Sequence, residues 1–411
     1  MKHYAIYGEI ADPENLPAQL FKVMPEAELS DLRGKQGAVF SNAELEKHLE
    51  DDHRHGRSKL VNSGRSLCSL SAGERRKALL NYLLDQQPDF LILDNPFDSL
   101  DRESVEDLKL QLEKLSKEIQ VILLYHRQED LLPFIDEVFR IKSGKAIRHS
   151  KAGFHPEDTS RVDLSQLQSL PPPPVCFKKQ PEVLVKLEQV SVRYEDRPIL
   201  SNISWEVKKG EFWKLSGPNG AGKTTLLSMI YGDNPKAYGE NIFLFGNRKG
   251  SGETVWEIKR KIGYFSPNLT EFFTRRNTVL EMIISGLLDS VGLYQKPSRQ
   301  QVVCAEEWLK LLKMEDLQKK IFVDLPLLEQ REVLIARAMI KHPPLLILDE
   351  PTTGLNDESA LTITGLVNSI ARNSDTAIIY VSHREEKGLM PERELSLIPG
   401  EKGSRGEISS F

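Results

Sequence analysis

The pattern of apolar and polar positions in this chain occurs twice. From Asp89 it reads Asp-Phe-Leu-Ile-Leu-Asp-Asn-Pro-Phe-Asp-Ser-Leu-Asp, and from Pro344 Pro-Leu-Leu-Ile-Leu-Asp-Glu-Pro-Thr-Thr-Gly-Leu-Asn. Each apolar run has the length of a buried strand. Each is followed by an amphipathic helical stretch and then by a β-rich run, Gln120–Leu124 or Ala377–Val381. Next comes a residue pair ending in histidine, Tyr125–His126 or Ser382–His383. The repetition predicts a duplicated module. Buried strands alternating with helices predict parallel sheets of the α/β class.

Between the copies, from Ser150 to about Glu182, apolar periodicity stops and Pro171 to Pro174 stand in a row. Such a run favours an extended spacer. The predicted organisation is a shortened module over 1–150, a proline-rich linker over 151–182 and a complete module over 183–411. From Gly400 onward the chain is polar and rich in Gly and Ser, which predicts a loose tail.

Length agrees with this division, because 411 residues exceed one ordinary core. Charge removes one class of partner. Lys and Arg total 55 against 60 Asp and Glu, with no basic stripe, so direct nucleic-acid binding is not expected. Cys68, Cys176 and Cys304 have no metal-ligand spacing and read as reduced thiols. The start, Met-Lys-His-Tyr-Ala-Ile-Tyr, lacks the apolar run of a secretion signal. The most apolar stretch, Val279–Leu293, is broken by Glu281 and Asp289, so no membrane span is expected. A cytoplasmic protein is expected, with peripheral attachment to the cytoplasmic face of the inner membrane as the alternative. Any membrane process would need another chain to cross the bilayer.

Candidate chemistry centres on Gly217-Pro-Asn219-Gly220-Ala221-Gly222-Lys223-Thr224-Thr225, between the apolar run Phe212–Leu215 and a helical stretch, Leu226–Tyr231. This is a phosphate loop in the strand–loop–helix setting that its mechanism needs. Glycines let successive N–H groups point at phosphate oxygens, and the helix start adds partial positive charge. Lys223 would reach the β- and γ-phosphates, and the Thr224 hydroxyl would bind Mg²⁺. Asp349, at the C-terminal end of its strand, would position the same cation. Glu350 is the candidate general base or water-orienting carboxylate. His383, at the end of another strand, could hydrogen-bond the γ-phosphate.

These residues resemble the ABC ATPase family over nearly the whole chain. The fold implied is two P-loop NTPase cassettes, each a mostly parallel sheet with helices. The second would add an antiparallel β subdomain and a helical subdomain. The resemblance implies ATP hydrolysis with Mg²⁺, and head-to-tail pairing of cassettes within one chain or between two. Leu70-Ser71-Ala72-Gly73-Glu74 fits the family motif that closes over ATP held by the opposite cassette. There Ser71 and Gly73 would meet the γ-phosphate, Asp101 would reach the same site, and Tyr194 would stack on adenine.

Against that template each half has lost something. In the first half the loop Gly8–Asn15 has no lysine and carries Glu9, Asp12 and Glu14. Its glutamate position is Asn95, which cannot accept a proton. In the second half the closing motif reads Leu325-Pro326-Leu327-Leu328-Glu329-Gln330, with no serine or glycine, and Asn356 stands where the first half has Asp101. The losses fall on one composite site and leave the other intact. The intact site has Ser266-Pro267-Asn268 where a glutamine is usual, so slow turnover is expected. Within the family, Tyr194–Leu200, Gly250–Lys259 and Ser285–Tyr294 look closest to the tandem cassette proteins named for molybdenum transport, the ModF type. This implies the energising subunit of a molybdenum- or anion-related transport system with a separate integral-membrane permease. The alternatives are a mechanical switch on a ribosome or DNA-repair machine, or a nucleotide-sensing regulator.

Overall fold

The structure is a computed structural model that describes residues 1–8, 15–55, 59–61, 66–142, 144–149, 151, 169–173, 180–267, 276–293 and 295–411. Glu9, Asp12, Glu14, Cys176 and Asn268 lie outside the described residues. Two compact units are present. One holds the described residues up to 151 together with Gly354–Asp357, and the other holds those from 169 to Thr353 and Glu358–Phe411.

Among the described residues of the first unit, six strands form one sheet. They are β1 (Tyr4–Tyr7), β2 (Gly37–Phe40), β3 (Phe90–Asp94), β4 (Gln120–Tyr125), β5 (Glu137–Lys142) and β6 (Lys145–His149), in the spatial order β2-β3-β4-β1-β5-β6. All neighbours run parallel except β5 and β6. Alternate residues go to two different cores. Ala5, Tyr7, Leu91, Leu93, Val121 and Leu123 pack into one, and Tyr4, Ile6, Phe90, Ile92, Ile122 and Leu124 into the other. Helical crossovers cover both faces of a parallel sheet, so its strands read as unbroken apolar runs rather than as alternation.

The second unit contributes β7 (Val183–Tyr194), β8 (Arg197–Lys208), β9 (Phe212–Ser216), β10 (Ile242–Leu244), β11 (Asn247–Arg248), β12 (Ile262–Phe265), β13 (Leu345–Asp349), β14 (Ala377–Val381), β15 (Arg393–Ile398) and β16 (Arg405–Ser410). One sheet has the order β12-β13-β14-β9-β15-β16, which repeats the first unit's order strand for strand. The other is antiparallel, β11-β10-β7-β8, and has no counterpart among the first unit's described residues. Helices Val279–Ser285, Arg299–Leu311 and Leu327–Met339 precede β13 and form the expected helical subdomain. Each of the first two starts with a reciprocal capping box, Thr278 with Glu281 and Ser298 with Gln301. Among the described residues no helix is long and apolar enough to cross a membrane.

The loose tail predicted from Gly400 is corrected here. Arg405–Ser410 forms β16, paired antiparallel with β15 from Ile398↔Arg405 to Arg393↔Ser410. All six residues are exposed. The strand is held by backbone pairing, and its polar composition suits a sheet edge that must not recruit another chain. Side-chain pattern therefore carried no sign of it.

Candidate nucleotide site

The chain leaves β9 at Ser216, turns through 217–222 and enters the helix Lys223–Tyr231. Gly217, Gly220 and Gly222 have φ of 138°, 78° and 97°. A Cβ on Gly217 would stand 2.6 Å from the Leu397 carbonyl oxygen, and one on Gly222 would stand 2.7 Å from Leu200 Cδ2. Backbone conformation and close approach both require glycine at these two positions. Buried Ala221 closes the turn by donating its N–H to Pro218 O at 3.2 Å. Lys223 curls back over the loop, with Nζ donating to the carbonyls of Gly217 (2.6 Å) and Pro218 (3.0 Å).

This loop opens onto a cleft of about 310 Å³, walled by Asn219, Gly220, Gly222, Lys223, Thr224 and Thr225 on one side. Asp349, Glu350 and His383 wall the other side, where β13 and β14 end. Burial pushes the Asp349 carboxyl up to about 6, and neighbouring Glu350 adds to the shift, while His383 and Lys223 oppose it. Glu350 is held three ways. Its backbone takes φ of 50° and donates to Val381 O at 3.0 Å. Its Oε2 accepts from Thr353 Oγ1 at 3.1 Å. Its Oε1 meets His383 Nε2. His383 Nδ1 is buried without a hydrogen-bond partner, an arrangement that costs about 1–3 kcal/mol unless a ligand supplies one.

Gly217 and Ala221 shape the loop from outside the cleft lining. Tyr194 does not line the cleft. Its ring is 42% exposed, its hydroxyl accepts from Asn234 Nδ2 at 2.8 Å, and Lys236 Nζ lies 6.0 Å from the ring centroid. The residues that do line it from the antiparallel sheet are Arg197 and Ile199. They stand two apart on one face of β8, a spacing legible in the sequence once that strand is placed.

Ser71, Gly73 and Asp101 lie in the first unit. Ser71 caps the helix Ala72–Asp85 through a capping box, accepting from Glu74 N at 3.3 Å while Glu74 Oε2 accepts from Ser71 N at 2.7 Å. A Cβ on Gly73 would lie 2.7 Å from Ser104 Oγ. Asp101 caps the helix Arg102–Leu115 by accepting from Ser104 N at 2.9 Å. In the second unit Pro326 gives the corresponding helix, Leu327–Met339, no side-chain cap.

The first unit's own strand ends are altered in chemistry, not in shape. Asn95 keeps the left-handed backbone, with φ of 44°, and donates its N–H to Leu124 O at 3.0 Å, as Glu350 does to Val381. Its side-chain amide donates to Asp94 Oδ1 at 2.9 Å. His126 stands where the second unit has His383, because Asp94↔Leu124 and Asp349↔Val381 are equivalent register pairs.

A phosphate loop between a central parallel strand and a helix, facing an Asp-Glu pair at the end of β13, two places away in the same sheet, defines a P-loop nucleotide-hydrolysing protein. Residues 200–353 match the family model described as ABC transporter. The ABC transporter ATP-binding protein ModF of Escherichia coli (strain K12) is 38% identical over 331 residues, covering 77% of this chain and 67% of that protein. An uncharacterized ABC transporter ATP-binding protein of Schizosaccharomyces pombe is 30% identical over 330 residues, covering 78% and 66%. The chain therefore spans about two thirds of the length of either relative. Among solved structures, a model of ribosome-bound archaeal Pelota and ABCE1 covers all of this chain and 75% of its own, with a TM-score of 0.63 and 16% identity, a likeness of fold alone. The chain belongs to the ABC transporter ATP-binding family, whose cassettes are ATP hydrolases.

Proposed function

We propose that this chain binds and hydrolyses ATP at one competent site, built on the second half's phosphate loop. The observation that carries this reading is the meeting of Lys223, Asp349, Glu350 and His383 in one cleft, set against Asn95 at the corresponding place in the first half. The Thr224 hydroxyl and the Asp349 carboxylate are hard oxygen donors in the same cleft, the chemistry Mg²⁺ takes. Mg²⁺ held there would neutralise charge on the β- and γ-phosphates. The loop N–H groups and Lys223 bind phosphate oxygens, exchanging Lys223's two loop carbonyls for the ligand. Glu350 orients the attacking water and takes its proton, with His383 and Thr353 fixing its two oxygens. Ser71–Glu74 from the first half, or from a second copy, closes on the γ-phosphate as a second anion site at a helix start.

Hydrolysis would drive a partner chain. The ModF-type resemblance favours a separate permease and a molybdenum- or anion-related substrate. The test is Glu350→Gln, expected to bind ATP without turning it over, expressed in its own cells and purified from membrane and cytosol fractions. Recovery with an integral membrane protein supports the transport role. Recovery only from cytosol, with ribosomes or repair proteins, replaces it with a mechanical switch. Hydrolysis that persists in Glu350→Gln removes Glu350 from the mechanism.

A further inference from the structure

Arg76 and Arg331 occupy the same place in the two halves. Leu70-Ser71-Ala72-Gly73-Glu74-Arg75-Arg76 lies against Leu325-Pro326-Leu327-Leu328-Glu329-Gln330-Arg331. Each is 5% exposed. Their surroundings differ sharply. Arg76 is fully engaged, with Nη1 donating to Pro96 O at 2.6 Å and Nη2 donating to Asp98 O and Asn42 Oδ1, both at 2.6 Å. Pro96 and Asp98 belong to the loop that follows β3. Arg331 has Nε and Nη1 buried without hydrogen-bond partners, and its guanidinium lies 5.4 Å from the centroid of the Phe265 ring. Burial without pairing depresses its basicity.

Strand register accounts for one missing bond. Phe40↔Leu93 and Phe265↔Leu348 are equivalent pairs, so Pro267 stands where the first half has Asn42, and proline has no side-chain amide to offer. The other two partners are backbone carbonyls, which substitution cannot remove. Their counterparts are Pro351 and Thr353, in the loop that carries Glu350. The turn is the same in both halves: Asp98 N donates to Asn95 O at 3.2 Å, and Thr353 N to Glu350 O at 3.3 Å. A buried guanidinium with unmade bonds costs free energy, so a conformer that supplies acceptors is favoured over one that does not.

We propose that Arg331 is a positioning residue for hydrolysis: with nucleotide bound, its guanidinium seats on the carbonyls of Pro351 and Thr353, as Arg76 seats on those of Pro96 and Asp98. The seat reaches the chemistry through one residue. Thr353 Oγ1 donates to Glu350 Oε2 at 3.1 Å, so fixing the Thr353 backbone fixes the carboxylate that orients water. It also ties the helix Leu327–Met339 to the catalytic loop. The inference rests on the role proposed above for Glu350.

The experiment compares full-length Arg331→Met, Arg331→Lys and Arg76→Met, reading the nucleotide-free melting temperature, KM for ATP and kcat. Arg331→Met removes an unpaired buried charge, so its melting temperature should rise by about 2–4 °C, while Arg76→Met should lower it. In Arg331→Met kcat should fall at least about 30-fold with KM within about threefold, because the interaction forms after binding. Arg331→Lys keeps the charge but loses the planar fork, and should lower kcat about fivefold or more. A kcat within twofold of wild type in either Arg331 variant overturns the proposal. So does a loss of nucleotide-free stability in Arg331→Met as large as in Arg76→Met, which would make Arg331 an ordinary structural residue. If Arg331→Met does not fold, Arg331→Lys carries the kinetic test. Failure of the Glu350 reading shows separately, as hydrolysis that survives Glu350→Gln.

Discussion

In the first half the residue after the acidic strand end is Asn95, and in the second it is Glu350. Both sit in left-handed backbone, at 44° and 50°, and both donate their N–H to the neighbouring strand, at 3.0 Å. Gly8 likewise keeps a φ of 120° where Gly217 has 138°. The scaffold of a nucleotide site therefore survives in the first half after its chemistry has gone. Strand order and loop backbone are held by cores that use every apolar residue of β1, β3 and β4. A carboxylate at Asn95 contributes nothing to those cores and can be lost without cost to the fold. The lesson is that the fold constrains shape at this position, and only turnover constrains charge.

The largest effects should fall on the site built on the second half's phosphate loop. Lys223→Ala should abolish ATP binding, and Glu350→Gln should lower hydrolysis by roughly 10²–10⁴-fold, both measured by phosphate release. Asn95→Glu should leave the rate within about twofold, since residues 8–15 contain no lysine. A rate gain there would break the asymmetry. Ser71→Arg should keep ATP binding by the second half and stop hydrolysis. Normal turnover in that variant would mean that the closing motif does not serve the second half's site.

Asp349→Asn separates stability from function. Holding this carboxylate ionised near pH 7.5, with its pKa raised from 3.8 to about 6, costs up to about 3 kcal/mol. The sign follows from linkage: the group's contribution to stability is fully present below the unfolded value and is lost as pH rises through about 6. The neutral amide should therefore raise nucleotide-free stability at pH 7.5, remove most of that pH dependence, and abolish Mg²⁺-dependent hydrolysis. Denaturant titration at pH 5 and pH 7.5 reads this directly.

Two smaller contrasts sharpen the comparison. Gly217→Ala would drive a Cβ to 2.6 Å from a backbone carbonyl oxygen, whereas Gly8→Ala meets nothing nearer than Ile141 Cβ at 3.5 Å. Both pay for positive φ, about 1 kcal/mol, and Gly217→Ala should cost about 1–2 kcal/mol more. Ser71→Ala should cost about 1 kcal/mol through the lost cap, while the reverse exchange in the other half, Pro326→Ser, should stabilise by a few tenths or leave stability unchanged. Thermal melts of the four variants rank them.

The sequence alone determined what depends on neighbours along the chain. The phosphate loop requires glycines and a lysine at fixed spacing next to a strand and a helix, so it can be read from Gly217–Thr225 without any fold. The duplicated strand–Asp–helix pattern was legible because strands buried on both faces must be apolar throughout. Local capping was legible too, since Ser71 and Glu74 meet within one helical turn. Tertiary structure decided what depends on residues far apart in the chain. Arg197 and Ile199 line the cleft from β8, a strand the phosphate-loop motif does not include. β16 exists because an edge strand can be held by backbone pairing, which leaves no side-chain signature. Arg331 lies over Phe265, and register makes Pro267 the counterpart of the Asn42 that binds Arg76. Whether a buried charge is paired depends on segments that meet only when the sheet assembles, and no local spacing records that.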